Sequence, residues 1–293
     1  MNTLTRVAAF GAGIVLVFAL AYGVGEAAGP IGAAPPRHDA HGADHGGGGV
    51  EVPGGLQVSQ RGYTLVPATT APAAGQPVDF RFRVLRPDGS PLTRYSVEHD
   101  KRLHLIVVGR DLSGFQHVHP VLAADGSGTW SVPLTFAQPG AYRVFADFTP
   151  AGDPGGGLTL GTDVTVAGTY APRPLPAPAR TATVDGYTVT LAGDLTAGSG
   201  SMVTLSVSRD GRPVTDLEPY LGAYGHLVAL RAGDLAYLHV HPDGGPGDGH
   251  TPAGPRIAFH AEVPSAGDYR LYLDFKHRGR VHTAEFTATA GKE

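Results

Sequence analysis

Six histidines of this chain fall into two sets of identical spacing, and imidazole is the commonest side-chain ligand of transition metals. His104, His117 and His119 form the first set, and His226, His239 and His241 the second, each 122 positions later. Both sets end in His-Val-His-Pro, at His117–Pro120 and His239–Pro242. Between His104 and His117 the residues read as strand, polar turn, strand. Strand residues two apart share a face, so His117 and His119 point the same way. A hairpin centred between Asp111 and Leu112 sets His104 opposite His119, with His117 on the diagonal. Cβ atoms so placed are about 5 to 8 Å apart. Three imidazoles that close can converge on one metal ion.

Composition narrows the metal. The chain has no cysteine, and its methionines are Met1 and Met202, so thiolate and thioether sites are excluded. Imidazole with a carboxylate suits zinc, copper or nickel, and copper ranks highest in affinity. Strand order supplies the carboxylates. In an immunoglobulin-like sheet the His104 strand lies antiparallel to Tyr142–Phe148, which brings Asp147 to the histidine end. The same logic brings Asp274 to His226. Either Asp is a candidate fourth ligand or an acceptor for a ligating ring's N–H. His277 and His282 could approach the same end of the second unit, which also carries His260. His99 and His250 stand in loop-like surroundings and read as ordinary surface residues.

The elements that must position these side chains are strands. Asp79-Phe80-Arg81-Phe82-Arg83 alternates with the period of a half-buried strand. Pro87-Asp88-Gly89, Asp125-Gly126 and Pro139-Gly140 punctuate the runs as turns. About seven short strands per unit predict an antiparallel β-sandwich of immunoglobulin type. The pattern then restarts: Gly186-Tyr187-Thr188 repeats Gly62-Tyr63-Thr64, and Asp210-Gly211 repeats Asp88-Gly89. The fold expected is all-β, two tandem sandwiches over 56–169 and 181–293, joined by a stiff Pro-rich linker over 170–180. Each is expected to be a complete domain that folds alone.

Ahead of the sandwiches, Val7–Gly25 is uncharged and just long enough to cross a bilayer as a helix. Residues 1–26 therefore read as a transmembrane anchor, or as a signal peptide cleaved after Ala21. Residues 27–55 form a flexible Gly-rich tether whose His38, His41 and His45 are candidate auxiliary metal-gathering groups. Arg6 on the inner side places both domains outside the cytoplasm, membrane-attached or secreted. A net charge of −4 with no basic patch gives no case for nucleic acid.

The run His104–Pro120 with Tyr142–Pro150, and Tyr220–Leu230 with Tyr237–Pro242, resembles a family of exported, histidine-rich proteins of high-GC bacteria. Its members are described as heavy-metal-binding or secreted. The resemblance implies a metal-handling context and carries no residue roles with it. The function expected is extracytoplasmic binding of copper or zinc for sequestration or delivery, with a metal transporter as candidate partner. The chain is not expected to be an enzyme. The alternatives are a metal-free adhesion or scaffold module with structural histidines, and a three-histidine zinc hydrolase.

Overall fold

Side-chain alternation separates two kinds of strand. In Pro77–Leu85, Phe80, Phe82 and Val84 are buried between exposed Asp79, Arg81 and Arg83, the mark of a sheet with one wet face. His104–Gly109 is buried at every position. That requires cover on both faces, and the architecture supplies it.

The computed structural model describes residues 52–238 and 240–291. The anchor expected over 1–26, His38, His41 and His45 of the tether, and His239 lie outside the described residues. Among the described residues there is no helix, and none long and apolar enough to cross a membrane. The first repeat packs two sheets. One runs Ser59–Gln60, Tyr63–Pro67, Pro77–Leu85, Thr129–Thr135, Val121–Leu122. The other runs Gln116–Val118, His104–Gly109, Gly140–Phe148, Leu158–Val166. The second repeat follows the same plan, with Gly225–Arg231, Gly267–His277 and Arg280–Gly291 forming its corresponding sheet. Pairing between strands is antiparallel apart from one parallel pair, Leu195–Thr196 beside Ala290–Gly291.

Each repeat has its own core. Phe80, Phe82 and Trp130 anchor the first, and Tyr187, Phe259 and Phe286 the second. A third apolar cluster joins them: Ile106, Val108, Leu112 and Phe145 from the first repeat, with Val228, Leu230, Leu235 and Tyr272 from the second. The parity of the strand explains it. Leu105 and Val107 point into their own sandwich, while His104, Ile106 and Val108 point at the other one. Tyr272 is fully buried. It stacks on Phe115 at a centroid separation of 3.9 Å, and its hydroxyl donates to the Leu112 carbonyl across 2.6 Å.

The last residues of the expected tether are pinned at the same junction. Gly55 N–H donates to Thr159 O across 2.8 Å, and Tyr237 N–H to Gly54 O across 3.0 Å. Arg143 Nε and Nη2 donate to Gly55 O at 3.1 and 2.6 Å. Gly55 has φ +74°, and a Cβ there would lie 2.3 Å from the Phe145 ring, so no larger residue fits without a shift.

The shared cluster changes what is expected of an isolated half. A fragment starting at Thr181 keeps the second core but uncovers Val228, Leu230, Leu235 and Tyr272. Burying each such side chain is worth about 1.5 to 3 kcal/mol. The fragment should therefore retain its β-sheet circular dichroism yet self-associate through that face. A monodisperse monomer in sedimentation would contradict it.

Candidate metal centre

The hairpin that carries the first histidine set forms for local reasons. The Asp111 carboxylate accepts from Ser113 N–H at 3.1 Å and from Ser113 Oγ at 2.7 Å. This is the Asx geometry that competes with extended backbone and makes a turn. The flanking strands pair Leu105 with Val118, Ile106 with His117 and Val107 with Gln116. Continued by one step, that register sets His104 opposite His119. The sheet also pairs His104 with Asp147, and in the second repeat His226 with Asp274.

His104, His117 and His119 offer ligand atoms that lie within 4.8 Å of one another. His104 Nδ1 is 3.0 Å from His117 Nε2 and 3.2 Å from His119 Nε2. Metal–imidazole bonds of 2.0–2.1 Å set at tetrahedral angles place donor nitrogens about 3.3 Å apart. Both separations are slightly shorter than the spacing a common ion would set.

The outer ring nitrogens fix the tautomers. His104 Nε2 is 3.2 Å from the Glu98 carbonyl, which only accepts, so Nε2 carries the proton and Nδ1 the lone pair. His117 Nδ1–H donates to Asp274 Oδ2 across 2.8 Å, leaving its Nε2 as a lone pair. Asp274 is held in turn by Thr283 Oγ1–H at 2.6 Å. With His117 neutral, His104 Nδ1 and His117 Nε2 both present lone pairs across 3.0 Å. A cation answers both nitrogens: a metal ion shared by the rings, or a proton on His117, whose Nδ1 is paired with Asp274. Burial, and then the neighbouring His117 ring, push both His104 and His119 down to about 3. A ring that stays neutral stays available to a metal.

The carboxylate behind His117 comes from the second repeat. The sequence paired Asp147 with the first histidine set and Asp274 with the second. Asp274 instead reaches across the junction to His117, while Asp147 accepts from Thr159 Oγ1 at 2.9 Å. Face-to-face packing of the two sheets is the cause, since Asp274 shares its strand face with Tyr272 of the joining cluster.

The second set is only partly in view. His226 Nε2 sits 2.9 Å from Tyr220 O and 3.1 Å from Leu221 O, so its Nδ1 also presents a lone pair. Its ring centroid lies 6.4 Å from those of His104 and His117, and burial lowers it to about 4. His241 is exposed and pairs with His260 across neighbouring strands. His277 and His282 do not join His226. His277 is held by Tyr187 at 2.7 Å and Asp216 at 3.1 Å, and His282 by Asp185 at 2.7 Å.

His99, read from sequence as an ordinary surface residue, packs against the centre. Its ring centroid is 5.4 Å from His226 and 6.2 Å from His104. His250 lies in an exposed loop, as expected.

A profile for a domain of unknown function, DUF8832, matches the chain twice, over residues 57–170 and 182–292. The chain belongs to the DUF8832 family. Each DUF8832 copy contains one of the two histidine sets. No curated protein matches the chain. Among solved structures, the Escherichia coli adhesin FdeC aligns at 15% identity and a TM-score of 0.25, over 80% of this chain and 65% of its own. InvD of Yersinia pseudotuberculosis aligns at 15% and 0.26, over 80% and 59%. Invasin, a bacterial integrin-binding protein, aligns at 12% and 0.23, over 80% and 41%. The chain spans less than two thirds of the length of each, and likeness at these scores carries no argument about function.

The buried neutral rings set a pH dependence for the metal-free protein. Folded His104 titrates near about 3 and His226 near about 4, against 6.5 for an unperturbed imidazole. Between those values the unfolded chain binds protons that the folded one refuses, so stability falls as pH drops below 6.5. Each fully titrating ring contributes at most about 1.4 kcal/mol per pH unit. His119 adds less, because solvent reaches it. The denaturant midpoint should fall steadily between pH 6.5 and 4, and a midpoint constant over that range would contradict it.

Proposed function

We propose that this DUF8832 protein binds a divalent transition-metal ion, copper or zinc, at His104, His117 and His119, for sequestration or delivery outside the cytoplasm. The observation that carries the reading is the convergence of one ligand atom each from His104, His117 and His119 within 4.8 Å of one another. Hydrogen bonds to Glu98 O and to Asp274 orient the His104 and His117 rings from behind, as outer partners orient metal-ligating histidines generally. An ion there would take three imidazoles and keep a further position for water or an incoming ligand.

The sequence repeat supports a second site at His226, His239 and His241, with Asp147 as its candidate carboxylate by analogy with Asp274 at the first. Export rests on the Val7–Gly25 segment, which we propose is a retained anchor, so that His38, His41 and His45 gather metal between membrane and sandwiches. A membrane metal transporter fits this placement as donor or acceptor.

Binding is favoured over hydrolysis by where the space lies. A cavity of about 950 Å³ is lined by Asp147, Tyr237, His260 and Glu262 and by none of the three histidines. A second reading is a metal-free adhesion or scaffold module, in which the three histidines form a hydrogen-bonded structural cluster.

Metal titration of the full-length protein separates the readings, with His38, His41 and His45 replaced by Asn so that they cannot compensate. Wild-type residues at the first centre should bind one zinc or copper ion that His117→Ala loses. Asp274→Asn should retain the stoichiometry and weaken affinity by about 10- to 100-fold. Asp147→Asn should leave the first centre unchanged. Unaltered stoichiometry in the His117 variant would establish the interaction-module reading instead.

A further inference from the structure

The first described residues, 52–57, form a strap across the junction and are bonded to both repeats. On the first repeat, Gly55 N–H donates to Thr159 O and Gly161 N–H donates to Gln57 O, each across 2.8 Å. On the second, Tyr237 N–H donates to Gly54 O across 3.0 Å. Buried Arg143 sends Nε and Nη2 to Gly55 O, and its Nη1 to Asp163 at 3.2 Å. The strap thus staples Tyr237 to the outer strand Leu158–Val166. Both of its anchor points lead to the histidine centre. Thr159 Oγ1–H donates to Asp147, which pairs across the sheet with His104. Tyr237 packs on Phe145 of the joining cluster at a centroid separation of 5.7 Å.

The passage for the strap is built into the first repeat alone. A Cβ on Gly161 would lie 2.0 Å from Gly55 O, so only glycine lets the strap through. Phe145 pairs with Gly161, and at the corresponding step of the second repeat Tyr272 pairs with Glu285. Arg270 there takes the place of Arg143. It reaches Thr287 Oγ1 at 3.1 Å and Glu285 Oε2 at 2.5 Å, and its buried Nε has no partner among the described residues. The fold therefore tolerates this arginine without a strap carbonyl upon it.

Burial does not hold the strap down. None of its side chains belongs to the three apolar clusters. Val52 is 38% exposed, and the cavity of about 950 Å³ runs alongside Val52, Pro53 and Gly54. Segments with few buried apolar contacts are the ones that open locally at low free-energy cost.

We infer that residues 52–57 are a releasable clasp that regulates the histidine centre by holding the two repeats together. Seated, the clasp keeps Tyr237 on the first repeat and Asp274 on His117. Lifted, it lets the second repeat draw back, and the ion loses the carboxylate that orients one of its ligands. Arg143 Nε then stands unpaired, as Arg270 Nε already does. The inference rests on the reading of His104, His117 and His119 as a metal centre.

Two substitutions in the full-length protein, each with His38, His41 and His45 replaced by Asn, lift the strap from opposite sides. Gly161→Ala sets a methyl group against Gly55 O, and Gly55→Ala sets one 2.3 Å from the Phe145 ring. Amide hydrogen exchange reads the clasp at Tyr237 and the first core at the strand Pro77–Leu85. Tyr237 should lose protection in both variants while that strand keeps its own, which separates lifting from unfolding. Coupled sites change each other's affinity by about 5- to 150-fold. Both variants should therefore bind zinc at least about fivefold more weakly and release it to a chelator faster. Unchanged zinc affinity with Tyr237 deprotected would overturn the clasp and leave the metal centre standing. Full protection of Tyr237 in both variants would overturn it too. A wild-type protein that takes up no zinc would overturn the metal centre itself.

Discussion

Two imidazole nitrogens, His104 Nδ1 and His117 Nε2, are held 3.0 Å apart. A hydrogen bond on each ring's far side, to Glu98 O and to Asp274, fixes their orientation. A cation satisfies both nitrogens, either a metal ion or a proton on His117, and polar contacts left unsatisfied in buried surroundings are the costly kind. The surrounding structure can be read as the means of keeping these two rings face to face.

That requirement explains why the sandwiches share a junction. Asp274 belongs to the second repeat and His117 to the first, so the centre exists only where the two sheets are docked. Docking is driven by the apolar positions that alternate with the polar ones on the same strands. Ile106 and Val108 follow His104, and Tyr272 precedes Asp274 on the same faces. One strand face therefore carries both the adhesive that joins the repeats and the groups that converge once they are joined. The duplication supplies this economically, because each copy already had a histidine beside a carboxylate across its sheet.

Much of this was legible in the residues. Asp111 and Ser113 announce the turn that fixes the hairpin register, and the register gives the triad. Strand order gave the His104–Asp147 and His226–Asp274 pairings. The partner of His117 was not legible, because a pairing within one sheet says nothing of what stacks on its outer face. A signal was present nonetheless. Leu105–Val108 and Leu227–Leu230 are unbroken apolar runs, and a strand buried on both faces reads that way. Taken seriously, it calls for a second layer over each sheet. His99 offered less, since its position near His226 depends on a left-handed turn over His99 and Asp100 that no Gly or Pro signals.

Nitrogen-15 NMR of the histidine rings in the full-length protein addresses the central contact most directly, since it reports tautomer and metal ligation atom by atom. Without metal, His104 should be protonated at Nε2 and His117 at Nδ1. Addition of zinc should shift His104 Nδ1, His117 Nε2 and His119 Nε2 together, at one equivalent for the site, while the outer N–H groups stay protonated. Zinc that perturbs only His38, His41 and His45 and leaves the triad's nitrogens unmoved would contradict the account.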